Sequence, residues 1–265
     1  MNNKVSNPYT IEKRKQKRNV IITQILIFVL FISMWELLAR LNIINEFLFS
    51  YPSEVFKLIF NYFKTGDIYI HIGISVLETI LGLFIGTITG IIIAVLIWWY
   101  PFLAKVFDPF LVVLNALPKT ALAPILIIWA GTGIKGITVV AISISLVLTI
   151  ISCYNYFINV EVEKIKMFKS FGASKWQILW KLVIPANIPN IINIIKINIG
   201  MTWVGVIVGE FLVSRAGIGY LIVYGSQVFK MDVVMAGVVI LAIIAYVMYQ
   251  IVNLIENKIR RERGK

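Results

Sequence analysis

The chain has 265 residues, 59% of them hydrophobic and 14% charged, against about 45–50% apolar and about 25% charged in soluble domains. That balance excludes a soluble enzyme or soluble binding module and leaves a polytopic membrane protein. The formal net charge of +12 does not point to nucleic acid, because the lysines and arginines gather at the two termini and in one central island, the positive-inside pattern.

Residues 1–19 read as a polar tail carrying Lys13, Arg14, Lys15, Lys17 and Arg18, and Val20 to Ala39 forms the first apolar run. A run of ~20 residues crosses a bilayer core; this one is too long for a cleavable signal and lacks a small-residue cleavage site. The basic cluster holds the N-terminus in the cytoplasm. Arg40 to Gly73 is then external. Pro52 opens a short helix with Val55, Phe56, Ile59, Phe60 and Phe63 at helical spacing, ended by Gly66-Asp67; it is too short to span and is predicted to lie on the outer interface. His71, the single histidine, cannot hold a metal by itself and reads as interfacial or structural.

Ile74 to Trp99 is the second predicted span. Gly82, Gly86 and Gly90 recur every four residues, which stacks them on one helix face and predicts close approach of a neighbouring helix. Glu78, one turn earlier, reads equally as cavity-facing or interfacial. Trp98, Trp99, Tyr100 and Pro101 close the span inside, with Lys105 and Asp108 in a short cytoplasmic loop. The third span, Phe110 to Ala130, contains Asn115, Pro118, Lys119 and Pro124. Prolines remove backbone donors, so the segment is either a kinked helix or, where water satisfies the freed groups, the lining of a route across the membrane. Gly131-Thr132-Gly133 is a tight external turn, and Ile137 to Ile158 is the fourth span.

Glu161 to Asn190 is the longest polar island, interrupted by five lysines. Asn159 to Ser170 is predicted as a first helix, with Ile165 and Phe168 on one face. Gly172, which adopts a left-handed conformation cheaply, ends it. Ser174 followed three residues later by Gln177 is a capping-box signature that starts a second helix. Trp176, Leu179 and Val183 form its apolar stripe until Pro185 disrupts it. Two short helices around a fixed bend make a stiff knob at the membrane surface; an amphipathic loop on anionic lipid accounts for the lysines but not for the bend.

Asn190 to Val213 is the fifth span. Asn193, Lys196, Gly200 and Trp203 share a face, and Lys196 either snorkels or faces a pore. Gly205 and Gly209 repeat the small-residue spacing, and Glu210 approaches the outer end. Ser214 to Lys230 re-enters from outside, and Asp232 to Glu256 is the sixth span. Lys258, Arg260, Arg261, Arg263 and Lys265 keep the tail, residues 257–265, inside. The expected fold is therefore all-α, with six transmembrane helices in a unit over 20–256, both termini cytoplasmic, and short cytoplasmic helices between spans four and five. Cys153 stands alone, which excludes a disulfide framework and a cysteine metal site.

The run Phe171-Gly172-Ala173-Ser174, followed by Val183-Ile184-Pro185-Ala186 and Pro189, resembles the coupling loop of membrane subunits of binding-protein-dependent ABC importers. It is similar in particular to the branch of aliphatic sulfonate, taurine and nitrate permeases. Leu117-Pro118-Lys119-Thr120-Ala121-Leu122-Ala123-Pro124 with Trp129-Ala130-Gly131 resembles that branch's third span, and Glu210 with Ala216-Gly217-Ile218-Gly219-Tyr220 resembles its fifth-span exit. The chain departs from the family where Lys166-Met167-Phe168 replaces the usual Glu-Ala-Ala, and where Glu78 stands in place of an arginine common among sulfonate-type relatives.

The resemblance implies a multi-pass cell-membrane permease, most simply a homodimer. Cytoplasmic ATP-binding subunits that carry ATP and Mg would grip Lys166, Met167, Phe168, Gly172, Ala173, Ser174 and Pro185. An extracytoplasmic solute-binding protein would deliver a small solute to a pathway whose candidate lining is Glu78, Asn115, Lys119, Lys196, Trp203 and Glu210. The chain itself has no phosphate-cradling G-x-x-x-x-G-K-[ST] loop, so no cofactor is expected on it and hydrolysis belongs to the partner. Lys119 and Lys196 suit a sulfonate- or nitrate-like anion; Glu78 suits a vitamin-precursor heterocycle related to thiamine or riboflavin. An intramembrane enzyme would need paired acids or a Ser/His arrangement at lipid depth. A channel or secondary transporter would need a charge ring or an internal repeat, and no convincing repeat is found.

Overall fold

A computed structural model describes residues 8–263; residues 1–7 and 264–265 of the predicted basic tails lie outside this range. The described chain is helical: α1 Pro8–Arg40, α2 Glu46–Phe49, α3 Pro52–Thr65, α4 Asp67–Trp99, α5 Pro101–Ala116, α6 Ala123–Ala130, α7 Ile134–Ile158, α8 Val162–Ser170, α9 Lys175–Ile178, α10 Ile184–Val213, α11 Ile218–Gln227 and α12 Met231–Arg263. Among the described residues five helices are long and apolar enough to cross a membrane: Arg18–Arg40, Asp67–Trp99, Ile134–Ile158, Lys175–Val213 and Met231–Ile259. In place of the expected third span stands a pair, Pro101–Ala116 and Lys119–Ala130, bent by 87°, which makes a sixth crossing if the two cross as one.

The core is a three-helix contact of α4, α7 and α10, and α7 is its centre, with 61% of its most apolar stretch buried against none for α1. Small residues permit the approach. A β-carbon at Gly82 would lie 2.7 Å from Ala141 Cβ, one at Gly90 would lie 2.6 Å from Thr149 Cβ, and one at Gly86 would collide with the Ser145 hydroxyl. The glycine stripe of α4 therefore faces a stripe of Ala141, Ser145 and Thr149 on α7 with the same four-residue step. Gly205 of α10 meets the other side of Ala141. The spacing of the α4 glycines predicts this packing, and tight backbone approach is how membrane helices gain contact energy when lipid supplies no hydrophobic drive. Asn198 ties the three helices together: its Nδ2 donates to Thr87 Oγ1 at 3.0 Å and to Thr149 Oγ1 at 2.7 Å.

Several boundaries differ from the sequence reading. Helix α1 starts at Pro8, so much of the basic segment continues the helix. Helix α4 starts at Asp67, immediately after Gly66 at φ 89°, because a left-handed glycine caps α3 and reverses the chain in one residue. Lys105 and Asp108 lie in α5 and not in a loop, since Pro101 at the helix start fits a first-turn position that needs no N–H. The third span is broken outright: a 3₁₀ turn over Lys119–Leu122 separates α5 from α6, where Pro118 and Pro124 withhold backbone donors. The 214–230 segment contains a ten-residue helix, α11.

Regular α pitch is lost just ahead of Pro185, as expected, but the helix that starts at Lys175 does not end there. A π turn over Leu179–Val183 leads directly into α10, and the whole run from Lys175 to Val213 counts as one helix of 39 residues. The widened turn adds a residue just ahead of Pro185, whose ring would otherwise press on the carbonyl one turn back.

Candidate functional site

The central island folds as the predicted knob. Helix α8 begins at Val162, with Glu161 as its N-cap residue, three residues later than the pattern suggests. Gly172 takes φ 76°, and the Ala173 N–H returns to the Phe168 carbonyl at 3.0 Å, closing the helix end. Ser174 and Gln177 form the reciprocal capping box: Gln177 N–H donates to Ser174 Oγ at 3.2 Å, and Ser174 N–H donates to Gln177 Oε1 at 2.8 Å.

Leu179 and Val183 are buried with Phe157, Cys153 and Ala94 in one apolar cluster, against which Ile165, Phe168 and Ala173 pack. Of the bulky pair Met167-Phe168, Met167 projects outward while Phe168 turns in; Phe171, at the knob tip, is 82% exposed. Lys166, Gly172 and Ser174 lie on the outer surface. Pro185 sits apart from them, half-buried in the first turn of α10.

The sequence reading missed how the knob is tied to α4. Lys175 Nζ donates to the Trp99 carbonyl at the α4 C-terminus and lies over the Trp98 and Trp99 rings at 5.6 and 5.2 Å. Trp99, Trp176 and Trp180 continue as edge-to-face pairs with centroids 5.8 and 5.7 Å apart. A cation at a helix C-terminus meets unpaired carbonyls and the negative end of the dipole, and the indole faces add cation–π attraction. Lysine count and an interfacial tryptophan cluster were visible signals; their meeting across 76 residues was not.

At the opposite end of α10, Glu78 and Glu210 are neighbours, each 1% exposed. Glu210 accepts from Ser75 Oγ at 2.5 Å, from Gly219 N–H at 2.5 Å and from Tyr220 N–H at 3.3 Å. Ser75 Oγ accepts from Ile218 N–H at 2.8 Å, and His71 Nδ1 accepts from Gly217 N–H at 3.0 Å. Three side chains from α4 and α10 thus satisfy the start of α11, whose first amides have no partners within the helix. His71 is structural here, stacked on Tyr220 with ring centroids 6.0 Å apart. Glu78 has an oxygen that is without a partner and closed off from solvent; the residue borders a cavity of about 520 Å³ together with Ile74, Thr132, Ile134, Ser214 and Arg215.

The remaining candidates do not converge on this cavity. Lys119 donates to the Asn115 carbonyl at 3.3 Å across the break between α5 and α6. Lys196 forms an ion pair with Glu256, donates to Asn253 Oδ1 at 2.9 Å and lies 5.5 Å from the Tyr249 ring centroid, joining α10 to α12. Trp203 is 4% exposed in a cluster with Leu83, Ile199, Ile218 and Ile240. Among the described residues no group of three or more His, Cys, Asp or Glu could hold a metal ion.

Comparison with known proteins follows the same outline. A family model described as "Binding-protein-dependent transport system inner membrane component" matches residues 86–261. A probable ABC transporter permease protein of Haemophilus influenzae is 27% identical, the match covering 86% of this chain and 93% of the relative. The putative aliphatic sulfonates transport permease protein SsuC of Bacillus subtilis is 24% identical over 96% of this chain and 92% of its own length. The formylaminopyrimidine transport permease protein ThiX of Halalkalibacterium halodurans is 24% identical over 88% and 92%. Among solved structures, a chain of the inward-facing MetNI methionine ABC transporter superposes with a TM-score of 0.61 at 18% identity, covering 71% of this chain and 92% of that one. A chain of a bacterial ABC transporter that imports alginate superposes at 0.65 and 13%, covering 94% and 99%. These structures share the fold.

Proposed function

Because this chain belongs to the inner membrane components of binding-protein-dependent transport systems, we propose that it forms the translocation pathway of an ATP-driven importer for a small organic solute. In this reading two copies face each other across the pathway, and cytoplasmic ATPase subunits holding ATP and Mg grip the knob at Lys166, Met167, Gly172, Ala173 and Ser174. A solute-binding protein docks at the far end. The observation that carries the reading is the knob itself, a capped two-helix element fused to a 39-residue helix and tied by Lys175 to α4. An element without a flexible joint transmits displacement. The outward Met167 and Phe171 are the apolar groups a docking groove would receive, in place of Phe168. In this reading both termini are cytoplasmic, because the basic residues collect on that side.

The substrate has two readings. Lys119 and the likeness to the SsuC protein favour a sulfonate-like anion, although Lys196 is already paired with Glu256. The partnerless Glu78 oxygen and the likeness to ThiX favour a nitrogen-bearing heterocycle. Co-expression with a candidate ATP-binding subunit tests the importer reading: a stable complex with solute-stimulated ATP hydrolysis is expected. Ion conductance by the chain alone in a planar bilayer would sink it.

A further inference from the structure

The first amides of α11 are held by three side chains, and one of the three is a histidine. Ser75 receives Ile218 N–H, and Glu210 receives Gly219 and Tyr220 N–H. His71 receives Gly217 N–H at Nδ1, 3.0 Å away. A backbone N–H only donates, so Nδ1 must offer its lone pair and the ring proton sits on Nε2. The bond therefore exists for the neutral imidazole alone. The imidazolium carries a proton on both nitrogens, and two N–H groups aimed at each other repel.

The charged ring has a partner of its own. Asp67 lies four residues earlier on α4, the spacing at which helix side chains meet, and its charge acts on His71. Both residues border a small cavity of about 40 Å³ with Tyr62, Ile68 and Leu221. That is room for a water, so a proton reaches the ring. The other titratable and charged groups come from each packed element. Tyr62 of α3 shares the small cavity, with Asp232 of α12 near it. Tyr220 of α11 stacks on the ring and on Tyr224 beyond it. Glu210 of α10, with Glu78 of α4 beside it, is buried and turned to the next amides. Arg215 is exposed two residues before Gly217. Tyrosines ionise near pH ~10, whereas histidine changes charge between about pH 5 and 8.

We propose that His71 is a proton-operated latch on α11: neutral, it holds Gly217; charged, it lets go and pairs with Asp67. Gly217 directly follows residues 213–216, which border the larger cavity. Acid on that side of the membrane thus frees the turn at the cavity's edge. Ser75 and Glu210 still hold the next three amides, so α11 stays folded and only its entry loosens. The latch goes beyond the importer reading and is the same for any solute.

The test uses the full chain, without a histidine tag, in lipid nanodiscs at about pH 7.5 and about pH 5, either side of the ordinary histidine value of ~6.5. His71 is the single histidine, so isotope-labelled histidine reports it alone by NMR. At the higher pH, Nδ1 is expected as an unprotonated, hydrogen-bonded nitrogen; at the lower, both nitrogens are expected protonated. Hydrogen exchange is read across 217–220, relative to an unstructured chain at the same pH. Protection is expected to fall roughly threefold to tenfold on acidification, the scale of one net hydrogen bond, while 134–158 keeps its protection.

His71→Asn places Oδ1 where Nδ1 stood and does not titrate, so it is expected to keep the higher-pH protection at both values. Asp67→Asn removes the partner of the charged ring and is expected to retain more protection than the parent at the lower pH; behaviour identical to the parent would overturn the pairing. A pH response that persists in His71→Asn would assign it to Glu210 or another carboxyl and overturn the latch. Should His71→Asn not fold, the labelled parent decides: a ring that stays neutral at the lower pH, or one that protonates with protection unchanged, would overturn it equally. All of this is read without an ATPase, so a failed latch leaves the importer reading intact.

Discussion

Gly200 and Gly205 lie five residues apart on α10 and differ in what a methyl group would meet. At Gly200 there is nothing within 4 Å. At Gly205 the new carbon would lie 2.6 Å from Ala141 Cα, 3.1 Å from Ala141 N and 3.2 Å from Ile144 Cδ1. The first two are backbone atoms of α7, and they cannot swing aside as a side-chain tip can. Ordinary contact needs roughly 3.5–4 Å, so α7 and α10 must separate by about 1 Å, and α7 is already pressed on its other side by Gly82.

Both Gly→Ala changes gain about 1 kcal/mol of helix propensity, so their difference isolates the packing penalty. Overpacking costs about 1–3 kcal/mol, which at ~2–4 °C per kcal/mol for a chain of this size separates the two unfolding midpoints by about 2–12 °C. The assay is thermal unfolding of the purified variants in one detergent. Gly200→Ala is expected at or above the parent and Gly205→Ala below it. Equal midpoints, or the reverse order, would refute the account of the α4–α7–α10 contact.

Three further outcomes are expected. Gly172→Asp places a side chain at φ 76° with nothing within 4 Å, so its cost is backbone strain of about 1–2 kcal/mol. Insertion should persist while solute no longer stimulates the associated ATPase; normal stimulation would count heavily against the knob's role. Lys175→Met removes the bond to the Trp99 carbonyl and should raise the ATP consumed per solute moved. Lys181→Met, on the exposed side of the same helix, serves as the control, and identical ratios would dismiss the tie to α4. Glu210→Ala strands the buried Gly219 amide and the Tyr220 amide at about 1–3 kcal/mol each. Hydrogen exchange should therefore quicken across 218–227 while 134–158 stays protected, and uniform protection would remove Glu210 as the anchor of α11.

What the sequence disclosed was what local rules govern. The α3 amphipathic spacing, the Gly172 turn, the Ser174–Gln177 box and the glycine stripe of α4 each depend on residues within a turn or two, and each was readable. Pairings over long separations were not. Lys175 with Trp99, Lys196 with Glu256 and Glu78 with Glu210 lie 76, 60 and 132 residues apart, and nothing in a single sequence names such partners. Pro185 shows a local rule overridden: proline ends an α-helix of regular pitch, but a π turn placed before it absorbs the missing donor. Glu78 and Glu210 were both visible as acids near one end of their spans. Which of them caps α11 and which faces a cavity depends on three α11 amides and Ser75.

The unbroken run from Lys175 to Val213 has a mechanical meaning. At ~1.5 Å per residue it is about 58 Å long, nearly twice the ~30 Å of a hydrocarbon core, and its tightest crossing is at Gly205. Taken as a fulcrum, that crossing leaves an arm of about 45 Å toward the tryptophans and one of about 8 Å toward Glu210. Tilting such a rod is a reduction gear: several ångströms of travel at the long arm arrive as about 1 Å at the short one. That is too little to open a wide gate. It is enough to lengthen a 2.5 Å hydrogen bond past the distance at which it still holds.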